Sequence, residues 1–250
     1  MLIRYLSDLH LEFINPNKLH NVFNKIQSSN KKEVCILAGD IDNPYKSNYD
    51  NFMKHVSNNF KKTFVIAGNH EYYNETKTIE ETNIFLDNYF KKFNNISFLN
   101  NSCEYYENYY FVGTVLWSRI TDPKYKINDM YRIPKFDSSK YNQLNSESIE
   151  FLKCIKQNNN NIIITHHLPS HSLTDDKYNI PEMLPYHQWF SNDMDKFIDE
   201  HKNNIKCWFY GHTHTPSNKL ISNIPFLCNP IGYPKENTTV NYNADIIIYL

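Results

Sequence analysis

Five apolar runs along the chain end in the same kind of polar residue. They are LIRYLSDLH, VCILAGD, FVIAGNHE, NIIITHH and WFYGHTH, spread from the N-terminus to residue 214. Each core of Ile, Val, Phe, Leu and Tyr reads as a strand buried on both faces and closed by a turn. Between them, Phe52, Val56 and Phe60 recur at helical spacing over 48–60, as do Ile79, Leu86, Phe90 and Phe93 over 75–92. Weaker helical signals lie at 17–29 and 192–201, and a further helix is expected near 140–156, started by Ser138 or Ser139. The period shortens over 96–117, which predicts a meander or hairpin turning at Glu107 and Asn108, its tyrosines paired across strands. KLIS, IPFLC and DIIIYL predict closing strands, and residues 168–190, with three prolines and little periodicity, predict a long functional loop. Strand alternating with helix predicts an α/β protein, read as a single domain over 1–250.

Composition narrows the function classes. A net charge of −1 and a pI near 6.8 supply no basic field, so there is no strong nucleic-acid signal. The sequence holds no apolar stretch of membrane-spanning length and no leader pattern at its start, so a soluble, cytoplasmic protein with no membrane partner is expected. Cys35, Cys103, Cys154, Cys207 and Cys228 are odd in number and lack CxxC spacing, which reads as reduced thiols in the core.

The run ends carry the chemistry. In an open sheet the ligand site lies outside the carboxyl ends of the strands, where Asp8, His10, Asp40, Asn69, His70, His166, His212 and His214 fall. Three of the five glycines, Gly39, Gly68 and Gly211, precede these residues, permitting positive φ or a close backbone approach. If extended, Asp8 and His10 face one side while Leu9 enters the core, and His212 and His214 repeat this around Thr213. A single Asp or His at a strand end is usually a turn residue. Independent turns have no reason to alternate Asp and His twice, and two bridged divalent metals need about seven such oxygen and nitrogen ligands.

The ordered blocks DLH, GD, GNHE, HH and GHTH resemble the calcineurin-like metallophosphoesterase superfamily over residues 6–214. GTVLW, HHLPS and CNPIGYP extend the likeness to its small single-domain members. The resemblance implies two packed mixed β-sheets flanked by helices, a four-layer αββα sandwich. It implies that Asp8, His10, Asp40 and His214 hold one ion, that Asp40, Asn69, His166 and His212 hold the other, and that Asp40 bridges. His70 is then no ligand but the catalytic residue at the phosphoryl oxygen or the leaving group, as general acid or hydrogen-bond donor, while a hydroxide between the ions attacks phosphorus. The implied cofactors are two divalent ions, manganese first, with iron or zinc equally suited to the ligand chemistry.

Around this centre, Arg132 is the candidate phosphate clamp because a guanidinium contacts two oxygens at once, and His167, Asn229 and Tyr233 are further candidate substrate contacts. Tyr178, His187 and Trp189 read first as packing. Glu71 is open between supporting the ligands and serving as a helix-start charge. The expected activity is hydrolysis of a phosphodiester or phosphomonoester in a nucleotide-type or other small phosphorylated substrate. A protein phosphatase, a nuclease or a non-catalytic binding scaffold on the same fold are the alternatives, and no signal bears on oligomeric state.

Overall fold

The computed structural model describes residues 1–28, 31–157, 160–178, 180–236 and 242–250. Strands β1 (Leu2–Leu6), β2 (Val34–Ala38), β3 (Lys62–Ile66) and β4 (Ile96–Phe98) run parallel in one sheet, with β11 (Ile247–Tyr249) antiparallel to β1 at its edge. The second sheet has the order β5 (Ser102–Tyr106), β6 (Tyr109–Thr114), β7 (Asn161–Thr165), β8 (Ile205–Phe209), β10 (Ile224–Cys228), β9 (Ser217–Ile221). Its inner strands β6, β7, β8 and β10 are parallel and both edges are antiparallel.

Alternation along each strand explains the layers. Ile3, Tyr5, Val34, Ile36, Phe64 and Ile66 face across to Phe111, Ile162, Ile164, Cys207, Phe209 and Leu227 in one apolar layer between the sheets. Phe64 and Phe111 stack there with centroids 3.8 Å apart. The intervening Leu6, Cys35, Leu37 and Val65 face α2 (Ser47–Asn59) and α3 (Ile79–Phe90), whereas Val112, Ile163, Trp208 and Phe226 cluster with apolar residues of α5 (Ser138–Leu152) and α6 (Asp195–Glu200). The fold is therefore two mixed sheets flanked by helices, as expected.

Helix α2 buries Tyr49, Phe52, Met53 and Val56 along one face. Helix α3 begins later than the periodicity predicts because Thr78 and Glu81 form a reciprocal capping box. For α5 the cap is Asp137, not a serine: its carboxylate accepts the Lys140 N–H at 2.8 Å. The first helical segment is α1 (Leu19–Lys25), and residue 29 of the expected helix lies outside the described residues.

Of the meander or hairpin expected over 96–117, the hairpin forms. Strand β4 pairs in parallel with β3 in the first sheet, and only β5 and β6 form a hairpin. Apolar alternation marks a strand but does not encode its sheet. At the turn Glu107 and Asn108 adopt φ 47° and 72°, and Tyr105 opposes Tyr110 with rings 4.8 Å apart. The cysteine reading holds for Cys35, Cys207 and Cys228, but Cys103 and Cys154 are exposed because they sit on an edge strand and past the end of α5. The described part of 168–190 contains three short helical turns, His171–Leu173, Asp176–Tyr178 and Leu184–Trp189, with residue 179 outside the described residues.

Candidate metal centre

Strands β1, β2, β3, β7 and β8 all deliver their carboxyl ends to one edge, and the side chains that follow them meet there. Asp8, His10 and His214 place ligand atoms within 4.8 Å of one another, as do Asp40, His166 and His212. Asp40 lies between the groups: Oδ2 is 3.7 Å from His10 Nε2 and 3.3 Å from His166 Nε2. His166 Nε2 is also 3.1 Å from Asn69 Oδ1. Thus the structure brings together all seven residues expected as ligands.

The backbone reaches this arrangement differently from the extended geometry expected of DLH. Asp8, His10, Asp40, His212 and His214 have φ of 49°, 45°, 56°, 68° and 48°, all left-handed and none glycine. Such residues cost of order 1 kcal/mol or more each and persist where surrounding contacts fix them. Here Asp8 N–H donates to Gly39 O at 3.0 Å, His10 N–H to Asp40 O at 3.0 Å, and Gly232 N–H to Asp8 O at 2.9 Å. Leu9 remains wholly buried between the two curled residues. The glycines serve two purposes. Gly39 has φ 86°, whereas a Cβ on Gly68 would collide with the Asp40 carboxylate and one on Gly211 would lie 2.8 Å from Asp8 Oδ2.

The imidazoles are held from behind. His166 Nδ1 donates to Ala38 O at 2.9 Å, Glu236 accepts from His214 Nδ1 at 2.7 Å, and Glu12 Oε1 lies 3.2 Å from His10 Nδ1. This leaves Nε2 of these three rings directed inward, where His10 and His214 approach to 2.9 Å, whereas His212 Nε2 lies 3.3 Å from Trp189 O. Imidazole nitrogens facing carboxylates, with acceptors fixing the opposite nitrogen, are a donor set suited to divalent cations. Burial alone would raise the Asp40 carboxyl, but His166, His70 and His10 hold it well below the usual carboxylate range. Asn69 is oriented in the same way: Nδ2 donates to Asp129 Oδ1 at 2.9 Å and to Tyr73 Oη at 3.1 Å, turning Oδ1 toward the centre.

Glu71 is buried and its carboxylate accepts three backbone N–H groups, from Asp40, Ile41 and Gly68. It therefore ties together the two loops that carry Asp40 and His70. Burial and the Asp40 charge push its carboxyl up to about 8 despite those donors. His70 does not join the carboxylate bridge through its ring. Its Nδ1 is 2.8 Å from Glu12 Oε1, its Nε2 is 3.1 Å from Tyr233 Oη, and its backbone N–H donates to Asp40 Oδ1 at 2.8 Å.

A cavity of about 270 Å³ opens on these groups, with Asp40, Asn69, His70, His212, His214 and Tyr233 in its wall. Tyr178, read first as packing, also lines it, and His187 Nε2 donates to the Tyr178 carbonyl at 2.8 Å. Two candidate substrate contacts are placed elsewhere. Because successive side chains alternate past β7, His167 turns away from His166, packs 4.2 Å from the His212 ring and contacts Tyr141 Oη at 3.2 Å. Burial and His166 hold it neutral. Asn229 uses its carboxamide on backbone, donating to Tyr5 O at 3.1 Å and Asn243 O at 2.9 Å. Arg132 stands at the outer rim, its guanidinium 5.5 Å from the Tyr73 ring centre.

Sequence reasoning passed over Glu12, Tyr73, Asp129 and Glu236. Glu12 continues the DLHLE alternation by one step and was legible in principle. Asp129 opens the one-turn helix α4 (Asp129–Arg132) and Glu236 lies in an irregular stretch, and neither segment carries a periodic signal.

A family model for calcineurin-like phosphoesterases matches residues 1–216. An uncharacterized protein of Acanthamoeba polyphaga mimivirus is 32% identical over 277 residues, covering 99% of this chain and 96% of that one. Among solved structures, the phosphopantetheinyl hydrolase of Mycobacterium tuberculosis is similar with a TM-score of 0.69 and 15% identity, covering 93% of this chain and 90% of its own. Protein TT1561 of Thermus thermophilus is similar with a TM-score of 0.55 and 13% identity, over 92% and 88% of the two chains. At such identities the structural likeness speaks for the fold, while the family rests on the sequence matches. The chain belongs to the calcineurin-like phosphoesterase family and is a metal-dependent phosphoric ester hydrolase.

Proposed function

We propose that the chain hydrolyses a phosphodiester or phosphomonoester bond in a small phosphorylated substrate at a centre for two divalent ions, manganese first. Asp8, His10 and His214 would hold one ion, Asn69, His166 and His212 the other, and Asp40 both. The observation that carries this reading is the Asp40 carboxylate, buried between two ligand clusters and within 3.7 Å of an imidazole from each. When bound, such ions neutralise phosphoryl oxygens as Lewis acids and make water a competent nucleophile near neutral pH.

The protein's own groups complete the chemistry. Glu12 fixes the Nδ1 proton of His70, leaving Nε2, on the Tyr233 side, to deliver a proton to the departing oxygen. The left-handed ligand residues and the Glu71 tether hold the site in shape before substrate arrives, which lowers the reorganisation needed during reaction. A cytoplasmic setting suits the free thiols, and among the described residues no helix is long and apolar enough to cross a membrane.

The test is release of p-nitrophenol from p-nitrophenyl phosphate and bis-p-nitrophenyl phosphate. Release is expected with manganese, stopping with a chelator and returning when manganese is restored. No release after loading with manganese, iron or zinc would overturn the proposal.

A further inference from the structure

A second cavity of about 610 Å³ lies directly beyond His70. Its wall is formed by Phe13, Tyr73, Asn128, Arg132, Tyr233 and Lys235, and none of the seven candidate ligands lines it. His70, Tyr73 and Tyr233 belong to both cavities, so they form the partition between the metal centre and this outer space. Arg132 lines the outer cavity and not the inner one.

We infer that this outer cavity receives the leaving group, and that the leaving group is a nucleoside-sized ring system carrying a second phosphate. This inference rests on the hydrolase reading above and names its substrate class. Position is the first argument: His70 Nε2, the proton donor of the proposed reaction, lies 3.1 Å from Tyr233 Oη, and both residues line this cavity. Shape and chemistry are the second. Phe13 remains 52% exposed, although apolar, and its ring is fixed edge-on against Tyr233 at 5.3 Å and against His70 at 6.0 Å. An exposed aromatic held rigid beside a reaction centre is a stacking surface for a planar ring. The volume lies within the range of small-molecule sites.

Charge is the third argument. Among the described residues neither Arg132 nor Lys235 forms an ion pair, and the acid on the same wall, Glu236, is committed to His214 and to the Tyr233 N–H. Two unneutralised cations at an aromatic cleft fit a phosphate that is not the one being cleaved, and the Arg132 fork, supported by the Tyr73 face, suits two of its oxygens.

The experiment uses the full chain loaded with manganese and measures competitive inhibition of hydrolysis of whichever of p-nitrophenyl phosphate and bis-p-nitrophenyl phosphate it cleaves, so it is independent of any monoester or diester preference. The inhibitors are adenosine 3′,5′-bisphosphate, adenosine 5′-monophosphate and ribose 5-phosphate. The bisphosphate is expected to inhibit at least tenfold more tightly than the monophosphate, and the monophosphate tenfold more tightly than ribose 5-phosphate. Arg132→Ala should shrink the first ratio to below about twofold and Phe13→Ala the second. Hydrolysis with equal inhibition constants, or with ratios untouched by both variants, would overturn the leaving-group assignment and leave the hydrolase reading standing. Absence of any hydrolysis would bring down both.

Discussion

Glu71 Oε1 accepts the backbone N–H of Ile41 at 2.7 Å, tying the turn after β3 to the loop after β2. Oε2 takes the N–H groups of Asp40 at 3.0 Å and Gly68 at 2.6 Å. One buried carboxylate therefore fixes the backbone around Asp40. Glu71→Ala strands these donors away from water, each at about 1–3 kcal/mol. The variant is expected to lose roughly 3 kcal/mol or more of unfolding free energy, read by chemical denaturation, and Glu71→Gln a smaller part of that. Unchanged stability in Glu71→Ala would show that the loops are held by something else.

Glu12 faces two imidazoles, His10 at 3.2 Å and His70 at 2.8 Å. Removing a carboxylate behind a metal-ligating histidine costs about 10- to 100-fold in metal affinity or activity. Glu12→Gln is expected to fall in that range in kcat/KM with the circular dichroism spectrum unchanged. Retention of full activity would remove Glu12 from the site.

Both ring nitrogens of His70 are engaged, Nδ1 with Glu12 and Nε2 with Tyr233. His70→Ala should therefore keep its full manganese content while kcat drops about 10²- to 10⁴-fold. The loss should be steepest for substrates with poor leaving groups, because these depend most on a donated proton. Equal loss of metal would make His70 a ligand.

Asp129 orients Asn69 through the carboxamide nitrogen, helped by Tyr73, whose hydroxyl donates to the same Asp129 oxygen. In Asp129→Ala the Asn69 carboxamide is free to rotate its nitrogen toward the ions. Manganese affinity should weaken about tenfold, measured by titration calorimetry. A variant that binds as tightly as the parent would show that Asn69 needs no external orientation.

Much of this centre was legible because strands buried on both faces write themselves as unbroken apolar runs, and the residue after each run lands on a common sheet edge. In DLH and GHTH the backbone differs from the expectation: curled left-handed residues, not an extended strand, bring Asp8, His10, His212 and His214 to the shared edge while Leu9 stays in the core. What escaped depends on long-range placement. Nothing in ISF says that β4 joins β3, and not β5. Nothing local distinguishes Asn229, spent on the backbone of Tyr5 and Asn243, from a substrate contact. Glu236 reaches His214 from an irregular segment without periodicity.

The central claim is that Asp40 joins two ion sites, and metal stoichiometry tests it most directly. After manganese loading and removal of free ions, elemental analysis of the parent chain should give about two manganese ions per chain, and Asp40→Asn no more than about one, as expected when a shared ligand is weakened. A parent chain that binds one ion or none, or an Asp40→Asn chain that still holds two, would contradict the account.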